Sequence, residues 1–136
     1  MKMRNVVPMS NQDNADITAA KMVAIRQAAE QGDVDAQYLL GLLKEDGDGC
    51  NIDPIEAVKW YREAADQDHA GAQYRLAQLN EHGVGCEINL TEAFKWYRRA
   101  ALQDYPDARE DLFGLCRAHP DLPLPTSELL DGKGRS

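Results

Sequence analysis

Residues 28 to 68 return, altered but recognisable, as residues 64 to 104. Trp60-Tyr61-Arg62 becomes Trp96-Tyr97-Arg98, and the same offset of 36 carries Ala36-Gln37-Tyr38 onto Ala72-Gln73-Tyr74. It also maps Gly47, Gly49, Cys50 and Ile52 onto Gly83, Gly85, Cys86 and Ile88, and Ala57 and Lys59 onto Ala93 and Lys95. A period between about 20 and 50 residues marks a stacked array, because one such unit cannot bury its apolar face alone and shares it with its neighbours. Arrays of this kind usually bind other proteins.

Inside each unit the pattern is that of two helices. Ala36, Leu40 and Leu43 recur as Ala72, Leu76 and Leu79 and again as Ala108, Leu112 and Leu115. Spacings of four and three place each trio on one stripe of a helix, helix A. Gly47-Asp48-Gly49 and Gly83-Val84-Gly85 end it, since glycine takes the positive φ that turns the chain. Helix B then opens on Asp53-Pro54-Ile55-Glu56 and on Asn89-Leu90-Thr91-Glu92. Each offers a capping side chain and a glutamate three residues on, with proline at the first helical position in one case. Beyond the cap, Ala57, Trp60, Tyr61, Ala64 and Ala65 set rings and small residues on adjacent faces, so rings of one helix rest on alanines of another. Trp60 and Trp96 are read as packing residues, because a large ring at helical spacing must bury its area.

Asp13 to Gln31 resembles a helix B without its helix A, since Ala28, Ala29 and Gln31 precede Ala64, Ala65 and Gln67 by the same offset. The expected organisation is a flexible N-terminus over 1–12 and a helical repeat domain over 13–118. That domain divides into a capping helix over 13–31, repeat one over 33–66, repeat two over 69–103 and a half repeat over 105–118. A Pro-containing C-terminal cap and tail follows over 119–136, with Thr126 to Leu130 as a turn that covers the last stripe.

The string Ala36-Gln37-Tyr38, Leu40-Gly41, Gly47-Asp48-Gly49, Asp53, Ala57, Trp60-Tyr61 and Ala64-Ala65 resembles the Sel1-like repeat, a relative of the tetratricopeptide repeat. About two and a half units match, over 28–116. The resemblance implies an all-α fold, a short right-handed α-solenoid of antiparallel helix pairs with a capping helix at its N-terminus. It also implies an adaptor or scaffold without chemistry of its own. Lys44 and Asn80 stand where the family has tyrosine, Ala77 where it has the glycine seen at Gly41, and Cys50 and Cys86 where valine is common.

In tetratricopeptide-like superhelices helix A lines the concave surface. The face of helix A opposite the apolar stripe carries Asp35, Tyr38, Leu42, Glu45 and Asp46, then Tyr74, Gln78, Glu81 and His82, then Asp107, Glu110 and Arg117. Tyrosine gives large contact area at small entropic cost and carboxylates select cations, so this is the expected partner-binding face. Lys59, Arg62, Lys95, Arg98 and Arg99 form a cationic ladder on helix B, and Glu56, Glu63 and Glu92 lie near enough to neutralise much of it.

Charge narrows the partner. The formal net charge is −8, which disfavours nucleic acid, whose binding draws on clustered Lys and Arg. A protein or peptide with a basic or mixed-charge surface suits it better. No apolar run approaches the roughly 18 residues of a membrane helix, and Val6 to Met9 is too short for a secretory signal, so a cytoplasmic protein is expected.

Cys50, Cys86 and Cys116 are odd in number. Packed helix pairs stand about 10 Å apart and a disulfide needs Cα atoms within about 7 Å, so a bridge between Cys50 and Cys86 is not expected and each of the three cysteines is read as a small buried hydrophobe. His82 and Cys86 are four apart, but a zinc site takes about four ligands and only His69 and Cys50 are at hand. No cofactor or metal is therefore expected. His69, His82 and His119 stand at no recognisable spacing from a nucleophile, and neither glycine loop continues into the Gly-Lys-Ser/Thr of a phosphate loop. The expected function is non-catalytic: protein binding by the helix A face, as a monomer or weak homodimer. The alternatives are an immunity protein that occludes a bacterial toxin, a role small bacterial members of the family suggest, and a self-associating structural protein.

Overall fold

The computed structural model describes residues 11–47 and 51–123. Among the described residues six helices follow one another: α1 (Asn11–Glu30), α2 (Val34–Asp46), α3 (Pro54–Asp66), α4 (Ala70–His82), α5 (Leu90–Leu102) and α6 (Ala108–Ala118). Helices α2, α4 and α6 are the three helix A copies, and α3 and α5 are the helix B copies. Among the described residues there is no strand. Nor is any helix long and apolar enough to cross a membrane. Residues 1–10, Cys50 and the expected cap and tail beyond Pro123 lie outside the described residues. Helix α1 takes in Asn11 and Gln12, two residues of the expected flexible start; neither residue type breaks a helix, and helix ends move by one or two residues.

The caps follow from local chemistry. Asp53 accepts from the Glu56 amide at 3.1 Å and Asn89 from the Glu92 amide at 3.0 Å, with Pro54 beginning α3. Gly47 and Gly83 close α2 and α4 at φ of 76° and 72° and donate to Leu43 and Leu79. The glutamates three residues into helix B do not turn back onto the cap amide. Glu56 accepts from the Trp60 indole at 3.0 Å, and Glu92 does the same for Trp96 at 3.0 Å. An indole N–H at a buried ring needs an acceptor, and the carboxylate one turn before it is in reach.

Each helix packs on its neighbours in sequence. One continuous core runs through α3, α4, α5 and α6, with Tyr61, Leu76, Trp96, Tyr97 and Leu112 among its largest members. A second cluster joins Ala29 of α1 to Leu40 and Trp60, with Met22 and Ile25 packed against it. Helix α1 thus covers the outer side of the first repeat, as an N-terminal lid. Arg26 completes the seal, 2.9 Å from Glu56.

Polar bonds set the register between units. Gln37 donates to the Ala29 carbonyl at 3.1 Å, and Gln73 donates to the Ala65 carbonyl at 3.2 Å. Gln67 then donates to Gln37 at 2.9 Å and Gln103 to Gln73 at 3.0 Å. The cationic ladder lies outside. Lys59 and Lys95 sit 5.4 and 4.8 Å from the centroids of Trp60 and Trp96. Glu92 lies 3.9 Å from Arg62 and 3.6 Å from Lys95, whereas Glu56 turns to Arg26 and Lys44, and Glu63 makes no ion pair among the described residues. Cys86 and Cys116 are free thiols and half-buried rather than buried. Cys86 packs on the core from the loop after α4 and Cys116 from α6, and burial still pushes both thiols up.

Candidate functional site

The exposed side of the helix A copies divides into two stretches of unlike character. Between α2 and α4 the space is filled. Arg75 of α4 reaches back until its Nη1 is 3.9 Å from Glu45, with Tyr38 beside it. Glu45 also accepts from the Tyr61 hydroxyl at 2.7 Å. Tyr38 is half-buried, its ring 4.5 Å from that of His69 and 5.9 Å from that of Tyr61. Leu42 is half-buried and packs on the core. Asp35 and Asp46 are exposed, Asp35 with its carboxylate 3.5 Å from His69 Nε2.

Between α4 and α6 the space is open. A groove of about 630 Å³ runs there, lined on the α4 side by Gln78, Glu81 and His82. Glu110, Asp111, Phe113, Gly114, Leu115 and Arg117 line it on the α6 side, and Tyr97 of α5 lies at its base. Two offsets of 36 explain the opening. Where α4 has Arg75, α6 has Asp111, and Leu42 becomes Gln78 and then Gly114. A Cβ on Gly114 would meet nothing nearer than Arg117 Nη2 at 3.8 Å.

The polar chemistry of the groove is that of fixed acceptors. Tyr97 donates its hydroxyl to Glu81 at 2.6 Å, and Tyr74 donates to Asp111. Burial pushes the phenols of Tyr97 and Tyr74 far above their ordinary value, and the carboxylate each faces pushes in the same direction. Both hydroxyls therefore remain donors at neutral pH, and each carboxylate is held in place with lone pairs to spare. Neither Glu81, Glu110 nor Asp111 takes part in an ion pair among the described residues.

Of the sequence-derived residues, Gln78, Glu81, His82 and Glu110 come together in this groove, with Arg117, and Tyr74 adjoins it through Asp111. Asp35, Tyr38, Leu42, Glu45 and Asp46 lie on the filled side, and Asp107 is exposed before α6. Helical spacing does not single out Asp111, Phe113 or Gly114, and it leaves Tyr97 only as the repeat of Tyr61. The readable signal was the change of Arg75 to Asp111 at equivalent positions.

His82 Nδ1 lies 3.0 Å from the Gln78 carbonyl and Cys86 Sγ 3.6 Å from that of Leu79. His69 is engaged elsewhere, its Nδ1 accepting from the Ala72 amide at 3.0 Å as the cap of α4. Among the described residues no group of three or more His, Cys, Asp or Glu side chains is placed to hold a metal ion.

Comparison with known proteins gives the architecture its family. The Sel1 repeat matches residues 34–69 and 70–105. The crystal structure of a Sel1 repeat protein from Oxalobacter formigenes is similar, with a TM-score of 0.65 and 40% identity over 76% of this chain and 42% of that one. So is c5321, a protective antigen present in uropathogenic Escherichia coli strains and displaying an SLR fold, with a TM-score of 0.63 and 37% identity. That match covers 64% of this chain and 19% of the antigen. The chain thus spans less than half the length of either structure. No curated protein matches the sequence. Two consecutive repeat matches and a shared solenoid of helix pairs place this chain in the Sel1 repeat family.

Proposed function

We propose that this chain is a non-catalytic interaction module that holds a protein or peptide in the groove between α4 and α6. The Sel1 repeat is a protein-interaction scaffold, and the reading adds a location and a partner charge. One observation carries it: the internal repeat is broken where Gly114 and Asp111 stand in the places of Gln78 and Arg75, which leaves a recess with an aromatic base and an acidic rim. Aromatic anchors give such a recess its affinity, and unpaired carboxylates favour a basic partner and reject an acidic one.

The test is to fill the groove without touching the core. Gly114→Trp places an indole in open space on a helix and replaces a poor helix former. The full chain and this variant are immobilised side by side and their captured proteins compared. A protein retained by the parent and lost from Gly114→Trp, at equal melting temperature, supports the groove. Equal retention by both would remove it from this surface.

A further inference from the structure

The first repeat contains what the second lacks. In the first, the Arg75 guanidinium lies against Glu45, whose carboxylate is fixed by the Tyr61 hydroxyl, with Tyr38 beside it. In the second, Glu81, Tyr97 and Tyr74 reproduce that acceptor set at the offset of 36, with Tyr97 bonded to Glu81 at 2.6 Å. The side chain equivalent to Arg75 is Asp111. A cation has become an anion, and Tyr74 now donates its hydroxyl to it.

Building on the groove reading, we infer that the partner supplies the missing guanidinium: an arginine side chain of a protein enters between α4 and α6 and lies against Glu81 and Asp111 as Arg75 lies against Glu45. The groove has the volume for it, and Gly114 removes the side chain that would obstruct entry. Its carboxylates present fixed oxygens to a planar fork of donors, the geometry that favours arginine over lysine. The phenyl ring of Phe113 and the ring of Tyr97 flank the same recess, and a guanidinium packs on such faces better than an ammonium does. Arg117 lines the rim but makes no ion pair with these carboxylates among the described residues, so they are open to an incoming cation.

The test uses the full chain labelled with nitrogen-15 and two peptides, acetyl-Ala-Arg-Ala-amide and the same peptide with citrulline, which keeps the shape and loses the charge. The expected result is saturable shifts at the amides of Glu81, Tyr97, Asp111 and Gly114, with affinity about tenfold higher for the arginine peptide. Asp111→Arg should restore the first repeat's arrangement inside the protein, abolish peptide binding and raise the melting temperature. Equal response to both peptides, or undiminished binding by Asp111→Arg, overturns the assignment. Free arginine binding as tightly as the peptide overturns the protein as its source. If a captured protein is lost from Gly114→Trp while the arginine preference is absent, the guanidinium falls and the groove stands.

Discussion

Tyr97 donates its hydroxyl to Glu81 at 2.6 Å and so ties α5 to α4 across the base of the groove. Tyr61 and Glu45 make the same bond at 2.7 Å one repeat earlier. The phenol is buried while its acceptor is half-exposed, so water can replace the lost donor at Glu81. Tyr97→Phe should therefore cost about 1 kcal/mol, the ordinary value of a hydrogen bond, rather than the larger penalty of a stranded buried group. The sign with pH follows from the raised phenol. A group whose pKa rises on folding contributes fully below its unfolded value, about 10 for tyrosine, and loses that contribution as pH climbs above it. Urea denaturation at pH 7 and pH 11 should show the parent losing its advantage over Tyr97→Phe at the higher pH; an advantage that grows there would contradict the bond.

Glu56 gathers three donors: the Trp60 indole at 3.0 Å, Arg26 at 2.9 Å and Lys44 at 3.5 Å. Burial pushes its carboxyl up, but the bonds from Trp60 and Arg26 and the charges of Arg26 and Lys44 outweigh this and leave it below its ordinary value. A carboxyl depressed on folding stabilises above its unfolded pKa, about 4.3, and that stability is lost as pH falls through the folded value. Glu56→Gln should therefore be less stable than the parent at pH 7 and indistinguishable from it at about pH 2. Because Arg26 belongs to α1, amide exchange in α1 should quicken in the same variant, and unchanged exchange would separate Glu56 from the lid.

How much of this was legible depended on whether a residue's role was local. The stripe Leu40, Leu76 and Leu112, the caps Asp53 and Asn89, and the stops Gly47 and Gly83 involve neighbours within one helix turn, and their spacing can be read directly. The glutamates show where that fails. By pattern Glu56 and Glu92 complete a capping box, yet each accepts from an indole, a choice made by the burial of the tryptophan ring. The groove was half legible. Gln78, Glu81, His82 and Glu110 follow from helical spacing, but Tyr38 and Leu42 share that spacing and are drawn inward by Tyr61, His69 and the core. Helical phase says which way a side chain leaves its helix; it does not say whether an Arg75 from the next unit covers it.

Gln73 is fully buried, and it was visible beforehand only as the middle of a repeated tripeptide. Its amide donates to the Ala65 carbonyl at 3.2 Å and to Asp68 at 3.1 Å, and its oxygen accepts from Gln103 at 3.0 Å. Leucine would fill nearly the same volume. The hydrophobic gain is about 1 to 2 kcal/mol, set against three lost hydrogen bonds at about 1 kcal/mol each; the Ala65 carbonyl keeps the Asp68 amide and the exposed Gln103 amide keeps the Asp68 carbonyl, so neither is stranded. Polar loss should win. Gln73→Leu is expected to be destabilised by about 1 kcal/mol in urea denaturation, and a stabilised variant would show that the three amide bonds contribute less than the burial of leucine.

His69 caps α4 with a ring nitrogen where the first repeat uses Asp33. Its Nδ1 accepts from the Ala72 amide at 3.0 Å, as Asp33 accepts from Ala36 at 3.0 Å. An accepting Nδ1 places the ring proton on Nε2, which faces Asp35 at 3.5 Å. The ring also lies 4.5 Å from Tyr38 and within reach of Gly71, where a Cβ would stand 3.1 Å from it. Two contributions can thus be separated by substitution. His69→Asn keeps an acceptor for the Ala72 amide and gives up the ring contact; His69→Ala gives up both. Loss of a cap costs about 1 kcal/mol, while the contact with Tyr38 contributes about 0.5 to 1.5 kcal/mol, as an aromatic pair does beyond its buried area. Thermal melts at pH 7.5 should therefore rank the parent first, His69→Asn second and His69→Ala last, with the last two separated by the cap alone. Equal stability of Asn and Ala at this position would mean that the imidazole serves α4 only through Tyr38.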